Sequence, residues 1–274
     1  MELLNKINKA TEFLLNKLGE KRPVLGLILG SGLGVLADDI KNPLVIPYEA
    51  IPDFPQTDVK GHAGELVIGE LEGKMVIAMK GRFHFYEGHS LPTISIPVRV
   101  MKNLGVETLI ITTATGGVNP ETVQTGDLML ITDHINLVYN NPLVGPNLDK
   151  FGPRFPDTSN AYTPRLQELA HSLAKTLDIN LKSGTYLFTT GPTYETPAEV
   201  RMMQFLGTDV AGMSTVPETL TAAHASMEVV AITYVANMGA GITTEKLTHD
   251  DVIATMSLVQ DDFVSLINHL VKSC

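Results

Sequence analysis

The chain of 274 residues carries 30 acidic and 20 basic side chains, a net charge of −10, with 44% hydrophobic and 18% charged residues. That balance supplies the core of one continuous α/β domain, and the lack of a Lys/Arg cluster excludes a nucleic-acid or anionic-membrane surface. Cys274 is the sole cysteine, which excludes a disulfide framework and a thiolate metal cluster.

Leu4, Ile7, Phe13, Leu14 and Leu18 recur at helical spacing up to Gly19 and predict an opening amphipathic helix. The start Met1 to Lys6 is too polar for a signal peptide, and no apolar run reaches membrane-spanning length, so a soluble, cytoplasmic protein is expected. Val24 to Leu29 predicts a buried strand, Val45 to Tyr48 another, and Glu65 to Leu71 with Lys74 to Met79 a hairpin turning at Glu72-Gly73. A helix over Leu91 to Leu104 leads to a strand at Thr108 to Thr112, a Gly-rich turn at Gly116-Gly117, and a short strand at Asp127 to Thr132. Asp133 to Thr163 has loop composition, and loops of that length are usually functional or make partner contacts. Helices follow at Pro164 to Leu177, Pro197 to Leu206, Val216 to Ala225 and Asp250 to Val271. Strands at Gly184 to Thr190, Asp209 to Met213 and Glu228 to Ala236 alternate with them. This alternation predicts a single-domain α/β fold, a mixed sheet with helices on both sides, spanning residues 1–274.

The polar motifs fall at strand ends, where such sheets bind ligands. Gly81-Arg82-Phe83-His84-Phe85-Tyr86-Glu87-Gly88-His89 puts a cation, imidazoles, a phenol and a carboxylate after the strand that ends at Met79. An Arg fork suits an oxyanion such as phosphate, although a mixed polar surface turn has the same composition. Gly30-Ser31-Gly32-Leu33-Gly34 lacks the third glycine of a dinucleotide fingerprint and the Lys of a Walker loop. Its glycines and the Ser31 hydroxyl fit an anion cradle, or a tight turn with no ligand. Gly61-His62-Ala63-Gly64 and Thr113-Ala114-Thr115-Gly116-Gly117 fit either ligand approach or plain loops. Tyr194 with Glu195 offers a stacking ring beside a carboxylate, as a nucleobase edge requires, or else a helix N-terminal acid. Met213-Ser214-Thr215, Asn237 and His249 complete the set. The histidines lack metal-ligand spacing, and no G-x-S-x-G elbow is present.

In order, Leu29-Gly30-Ser31-Gly32-Leu33-Gly34, Gly61-His62-Ala63-Gly64, Gly81-Arg82-Phe83-His84, Tyr86-Glu87-Gly88, Asp133-His134-Ile135-Asn136, Gly191-Pro192 and Gly212 to Glu218 resemble the trimeric-type purine nucleoside phosphorylases over nearly the full length. The resemblance implies a three-layer α/β/α fold with a central mixed β-sheet. It implies reversible phosphorolysis of inosine, guanosine and their deoxy forms to free base and (deoxy)ribose 1-phosphate, with inversion at C1′. It further implies a homotrimer in purine salvage, with inorganic phosphate as co-substrate and no metal or organic cofactor.

Carried over by position, the resemblance sets phosphate against Ser31, Arg82, His84, the Ala114 backbone and Ser214, with His62 in the loop that closes over it. Tyr86, Met213 and His249 would meet the sugar, Tyr194 the base, Glu195 its N1–H edge, and Asn237 its N7 and O6. His84, Glu195 and Asn237 would be the catalytic set, and Phe151 would enter the neighbouring subunit's site. Glu87 and His89 are expected to be supporting residues. The chain departs from the family at Thr113 and Thr115 (commonly Asn and Ala), Ala236 (often Thr or Ser), Met238 (Lys in animal members) and Ala223 (more usually Arg). The departure at Thr113 and Thr115 is expected to alter polarity beside the base and phosphate, and together with those at Ala236 and Met238 to surround the base, which makes base preference less secure than phosphorolysis. Alternatives are a xanthosine or methylthioadenosine phosphorylase, or a non-catalytic nucleoside-binding protein. A nicotinamide oxidoreductase is disfavoured by the incomplete glycine fingerprint.

Overall fold

The computed structural model describes residues 2–59, 61–243 and 249–274, with the side chains of residues 249–253 outside the description. Helix α1 (Glu2–Leu18) turns Ile7, Ala10, Thr11, Leu14 and Leu18 inward, the stripe that its spacing predicts. Strand β1 (Leu25–Leu29) is buried throughout, because parallel partners take both its edges and helices cover both its faces. Strands β2 (Lys41–Pro47), β3 (Glu65–Leu71) and β4 (Lys74–Lys80) form an antiparallel meander, and β3 turns into β4 at Glu72-Gly73 as expected. The helix expected over residues 91–104 is two pieces, α2 (Leu91–Ile94) and α3 (Ile96–Leu104). Pro97 has no N–H for the Thr93 carbonyl, and the ladder breaks at Ser95, whose hydroxyl donates to the Pro92 carbonyl at 2.6 Å.

The chain continues through β5 (Thr108–Gly117), β6 (Leu128–Asn136), α4 (Pro164–Thr176), β7 (Leu181–Phe188) and α5 (Pro197–Phe205). It ends with β8 (Val210–Gly212), α6 (Val216–His224), β9 (Glu228–Met238) and α7 (His249–Ser273). Strands β5, β6 and β9 run on past their expected ends. Gly116-Gly117, expected as a turn, is strand: β9 pairs with β5 from Thr108 to Gly117, absorbing one irregularity between Thr115 and Gly116. The first residues of the expected long loop, Asp133 to Asn136, likewise pair with β7. Long-range pairing, which local composition does not report, sets these ends.

The strands lie in the order β2-β3-β4-β1-β5-β8-β7-β6-β9, and β9 also pairs back onto β5. The half from β5 to β9 therefore closes on itself, while the other half stays an open sheet. Helices cover both faces as expected. Val98 and Met101 of α3 and Ala222 of α6 share one core with Ile7 and Leu14 of α1, while Leu166 of α4 and Phe263 and Leu266 of α7 share the other. β1 divides between them by its pleat, with Ile28 in the first core and Leu25, Leu27 and Leu29 in the second. Among the described residues, no helix is long and apolar enough to cross a membrane.

Candidate active site

A break in the sheet creates the site. β1 covers one edge of β5 up to Ile111, and β8 takes over that edge only at Gly116. Between these points Thr112 to Thr115 are open, and the loops after β1, β4, β7 and β8 converge on the gap. The resulting cleft is open to solvent and spans about 820 Å³ with its mouth included. It is lined by Ser31, Arg82, His84, Tyr86, Ala114, Tyr194, Glu195, Met213, Ser214 and Asn237, together with Thr113, Thr115 and Ala236. Ten expected site residues thus meet in one concavity.

At one end sits Arg82, 1% exposed. Its guanidinium is not the free fork that the sequence suggests. Nη2 donates to the carbonyls of Ile28 (3.3 Å) and Thr112 (2.5 Å), and Nη1 to the hydroxyls of Ser214 (2.8 Å) and Thr215 (3.3 Å). Glu218, also buried, lies 3.9 Å from Nη1. Arg82 therefore ties the carboxyl end of β1 and the middle of β5 to the start of α6, and presents its charge to the cleft through the two hydroxyls. The α6 N-terminus reinforces that charge. Its cap, Thr215, has φ +72° and ψ −50°, which a β-branched residue adopts at a cost of about 1–3 kcal/mol. Burial and the Arg82 bond hold it there, and Ser214 is aimed by the same turn.

Glu87 orients His84. Its Oε1 accepts the His84 backbone N–H at 2.7 Å and faces ring Nδ1 at 3.0 Å. Burial pushes the Glu87 carboxyl upward, but hydrogen bonds from His84 and Thr57 outweigh it and hold the group below the usual carboxylate range. Burial lowers the His84 pKa more than the Glu87 bond raises it, so the ring is neutral at neutral pH. Nδ1–H then donates to Glu87, leaving Nε2 as an acceptor. Tyr86 stacks on this ring at 4.7 Å. His62 stands behind, outside the lining, with its ring 5.3 Å from that of His84. His62 Nδ1 lies 3.1 Å from both the backbone N–H and the carbonyl of Arg82, and Nε2 lies 3.4 Å from Ser31 Oγ. Burial, then His84 and Arg82, lowers its pKa to about 4. A side chain on Gly81 (φ +112°) would lie 2.7 Å from His62 Cβ, so that glycine admits the histidine.

At the other end, Tyr194 and Glu195 project from the loop after β7, and Glu195 accepts from the Thr189 hydroxyl at 3.1 Å. Gly191 (φ +59°) leaves room for Met213 and Tyr86, which a side chain there would strike. Asn237 sits on β9 opposite Gly116, whose missing side chain gives the carboxamide room.

Phe151, expected in the neighbouring subunit's site, lies outside its own chain's cleft, where its ring is 7% exposed and packs under the Arg99 guanidinium, 5.0 Å away. The His249 side chain lies outside the described residues. The departures do not all surround the base. Thr113 bonds Ser214 Oγ at 3.1 Å, on the Arg82 side, and Thr115 turns its hydroxyl to Thr233 at 2.9 Å. Met238 is off the lining, its sulfur against Gly117, and Ala236 alone of those four is an apolar wall of the cleft. His89 bonds the Gln56 carbonyl at 2.7 Å, a supporting role as expected. Sequence reasoning gave no role to Glu218 and Thr189, and none to Thr215 beyond its place in the Met213-Ser214-Thr215 motif, because their parts depend on where hydroxyls and carboxylates point. Among the described residues, no group of three His, Cys, Asp or Glu is placed to hold a metal ion.

Residues 24–272 match the family model described as the phosphorylase superfamily. Purine nucleoside phosphorylase 1 of Bacillus subtilis is 53% identical over 267 residues, 97% of this chain and 98% of the relative. The purine nucleoside phosphorylase of Mus musculus is 47% identical over 223 residues, 80% and 77% of the two chains. Among solved structures, a Schistosoma mansoni purine nucleoside phosphorylase in complex with inosine superposes with a TM-score of 0.92 at 40% identity, covering 98% of this chain and 96% of that one. Isoform 2 from the same organism, in complex with cytosine and ribose-1-phosphate, gives 0.92 at 42% identity over the same shares. The chain belongs to the phosphorylase superfamily and, within it, to the purine nucleoside phosphorylases.

Proposed function

We propose that the cleft cleaves purine ribonucleosides and deoxyribonucleosides with inorganic phosphate, as a pentosyltransferase acting reversibly on inosine and guanosine. One observation carries this: an anion end built from Arg82, Ser31 and Ser214 and a base end built from Glu195 and Asn237 share one cleft, with Met213 as an apolar wall. Phosphate takes donors from Ser31, Ser214 and the Ala114 backbone, Arg82 supplies its charge through the Ser214 and Thr215 hydroxyls, and the protonated phosphate oxygen donates to His84 Nε2. A phosphate oxygen attacks C1′ as the C1′–N9 bond breaks, and the bonding pair leaves on the purine. Asn237 donates to N7, where the charge accumulates, so it stabilises the transition state more than the ground state. Attack opposite the departing base inverts C1′ and yields the α-sugar 1-phosphate. Holding both reactants in line supplies much of the rate advantage. Tyr86 and His249 meet the sugar, and Tyr194 flanks the base.

Glu195 accepts from the N1–H of a 6-oxopurine, whereas adenine turns an acceptor toward the same carboxylate. This favours inosine and guanosine over methylthioadenosine, and a nucleoside sensor has no need of the whole anion end. The reaction needs no metal or organic cofactor. Phe151, outside its own chain's cleft, completes the neighbouring site in a cytoplasmic homotrimer. Sedimentation at three chains per particle is expected, and a fully active monomer would overturn the assembly. The function itself is tested by base release from inosine, guanosine, adenosine and xanthosine with and without phosphate. Phosphate-dependent release, fastest with inosine and guanosine, is expected; none from any of the four would refute it.

A further inference from the structure

Glu195 lies among the described residues with no Lys or Arg within ion-pair distance. Its hydrogen-bond partner is the Thr189 hydroxyl, which donates to Oε1 at 3.1 Å. Thr189 is not part of the cleft wall. It follows the last residue of β7, its backbone N–H bonded to the Gly212 carbonyl at 2.9 Å, and with Leu137, Met202 and Met203 lines a depression that adjoins the cleft at Tyr194 and Glu195. The hydroxyl thus holds a carboxylate that lines the cleft from a residue that does not.

The consequence follows from counting lone pairs. A carboxylate has about four acceptor positions, and a threonine hydroxyl beside it can only donate to it. One lone pair of Oε1 is consumed, and with it the freedom of the carboxylate to swing. Oε2 and the second lone pair of Oε1 remain for ligand N–H groups, a match for the N1–H and 2-amino group of guanine. The same fixed oxygens oppose the N1 acceptor of adenine. A carboxylate free to rotate evades that clash, so discrimination needs the anchor as well as the charge. We infer that Thr189 is the positioning residue that sets 6-oxopurine over 6-aminopurine preference, by holding Glu195 through the Oγ1–Oε1 hydrogen bond. This rests on the proposed role of Glu195 at the purine edge.

Thr189 is part-exposed and its side-chain bond is peripheral to the core, so Thr189→Val keeps the shape and removes only the donor. The experiment measures kcat/KM for inosine, guanosine and adenosine, and KM for phosphate, in the parent, Thr189→Val, Thr189→Ser and Glu195→Gln. The expected result for Thr189→Val is about a tenfold fall for inosine and guanosine, with adenosine unchanged or raised and KM for phosphate unchanged within about twofold. Thr189→Ser restores the parent ratio. Equal losses on all three nucleosides, or a parent-like ratio in Thr189→Val while Glu195→Gln shifts it, would overturn the role of Thr189 and leave that of Glu195 standing. A ratio unchanged in Glu195→Gln as well would overturn the purine-edge role of Glu195 and the anchor with it.

Discussion

Glu87 Oε1 holds His84 at two points, the backbone N–H at 2.7 Å and ring Nδ1 at 3.0 Å, and thereby fixes which ring nitrogen faces the phosphate end. Glu87→Ala removes both hydrogen bonds and frees the ring to turn. The expected outcome is about a tenfold rise in KM for phosphate, with KM for inosine changed less than about twofold. Steady-state kinetics with each substrate varied in turn checks it. An equal rise for both substrates would mean that Glu87 supports the fold and not the imidazole.

Arg82 has a structural duty as well as an electrostatic one. Arg82→Met leaves the Thr112 carbonyl and Glu218 without their partner inside the protein, at an expected cost of about 3–5 kcal/mol in urea unfolding. Arg82→Lys keeps the charge but cannot span both carbonyls and both hydroxyls, so stability and phosphate affinity fall together. Full stability in Arg82→Met with lost phosphate binding would show that the guanidinium serves the ligand alone.

Asn237 acts on the leaving group. Asn237→Ala is expected to lower kcat on inosine by about 10²–10³-fold while phosphate KM changes little. Proportionate losses in both would contradict the assignment.

His62 gives the fold a pH dependence. Its pKa is about 4 in the folded protein against an ordinary value of 6.5. Between those values the unfolded chain holds the proton and the folded one does not, so stability falls as pH is lowered from 6.5 towards 4. His62→Gln removes that contribution. The difference in unfolding free energy between the two proteins should shift in favour of the variant as pH falls through this window, and a constant difference would refute it.

Much of the site was legible because strand-end loops in an α/β sheet gather ligands, and Ser31, Arg82, His84, Glu195, Ser214 and Asn237 all follow strands or end them. The closure of β5 through β9 was not legible. It depends on the three-residue β8 and on β9 pairing across more than 100 residues of sequence. Nor does sequence show that the Arg82 fork is already occupied, because its acceptors are main-chain carbonyls of Ile28 and Thr112 that no motif encodes. Thr189 was silent for the same reason: its importance lies in the direction of one O–H bond.

The most direct test of the central claim is the sugar product of inosine and inorganic phosphate, followed by phosphorus and proton NMR. The account predicts α-ribose 1-phosphate appearing in equal amount with hypoxanthine, and no turnover without phosphate. Free ribose, or the β-anomer, would contradict an in-line attack by phosphate held at Ser31, His84 and Ser214.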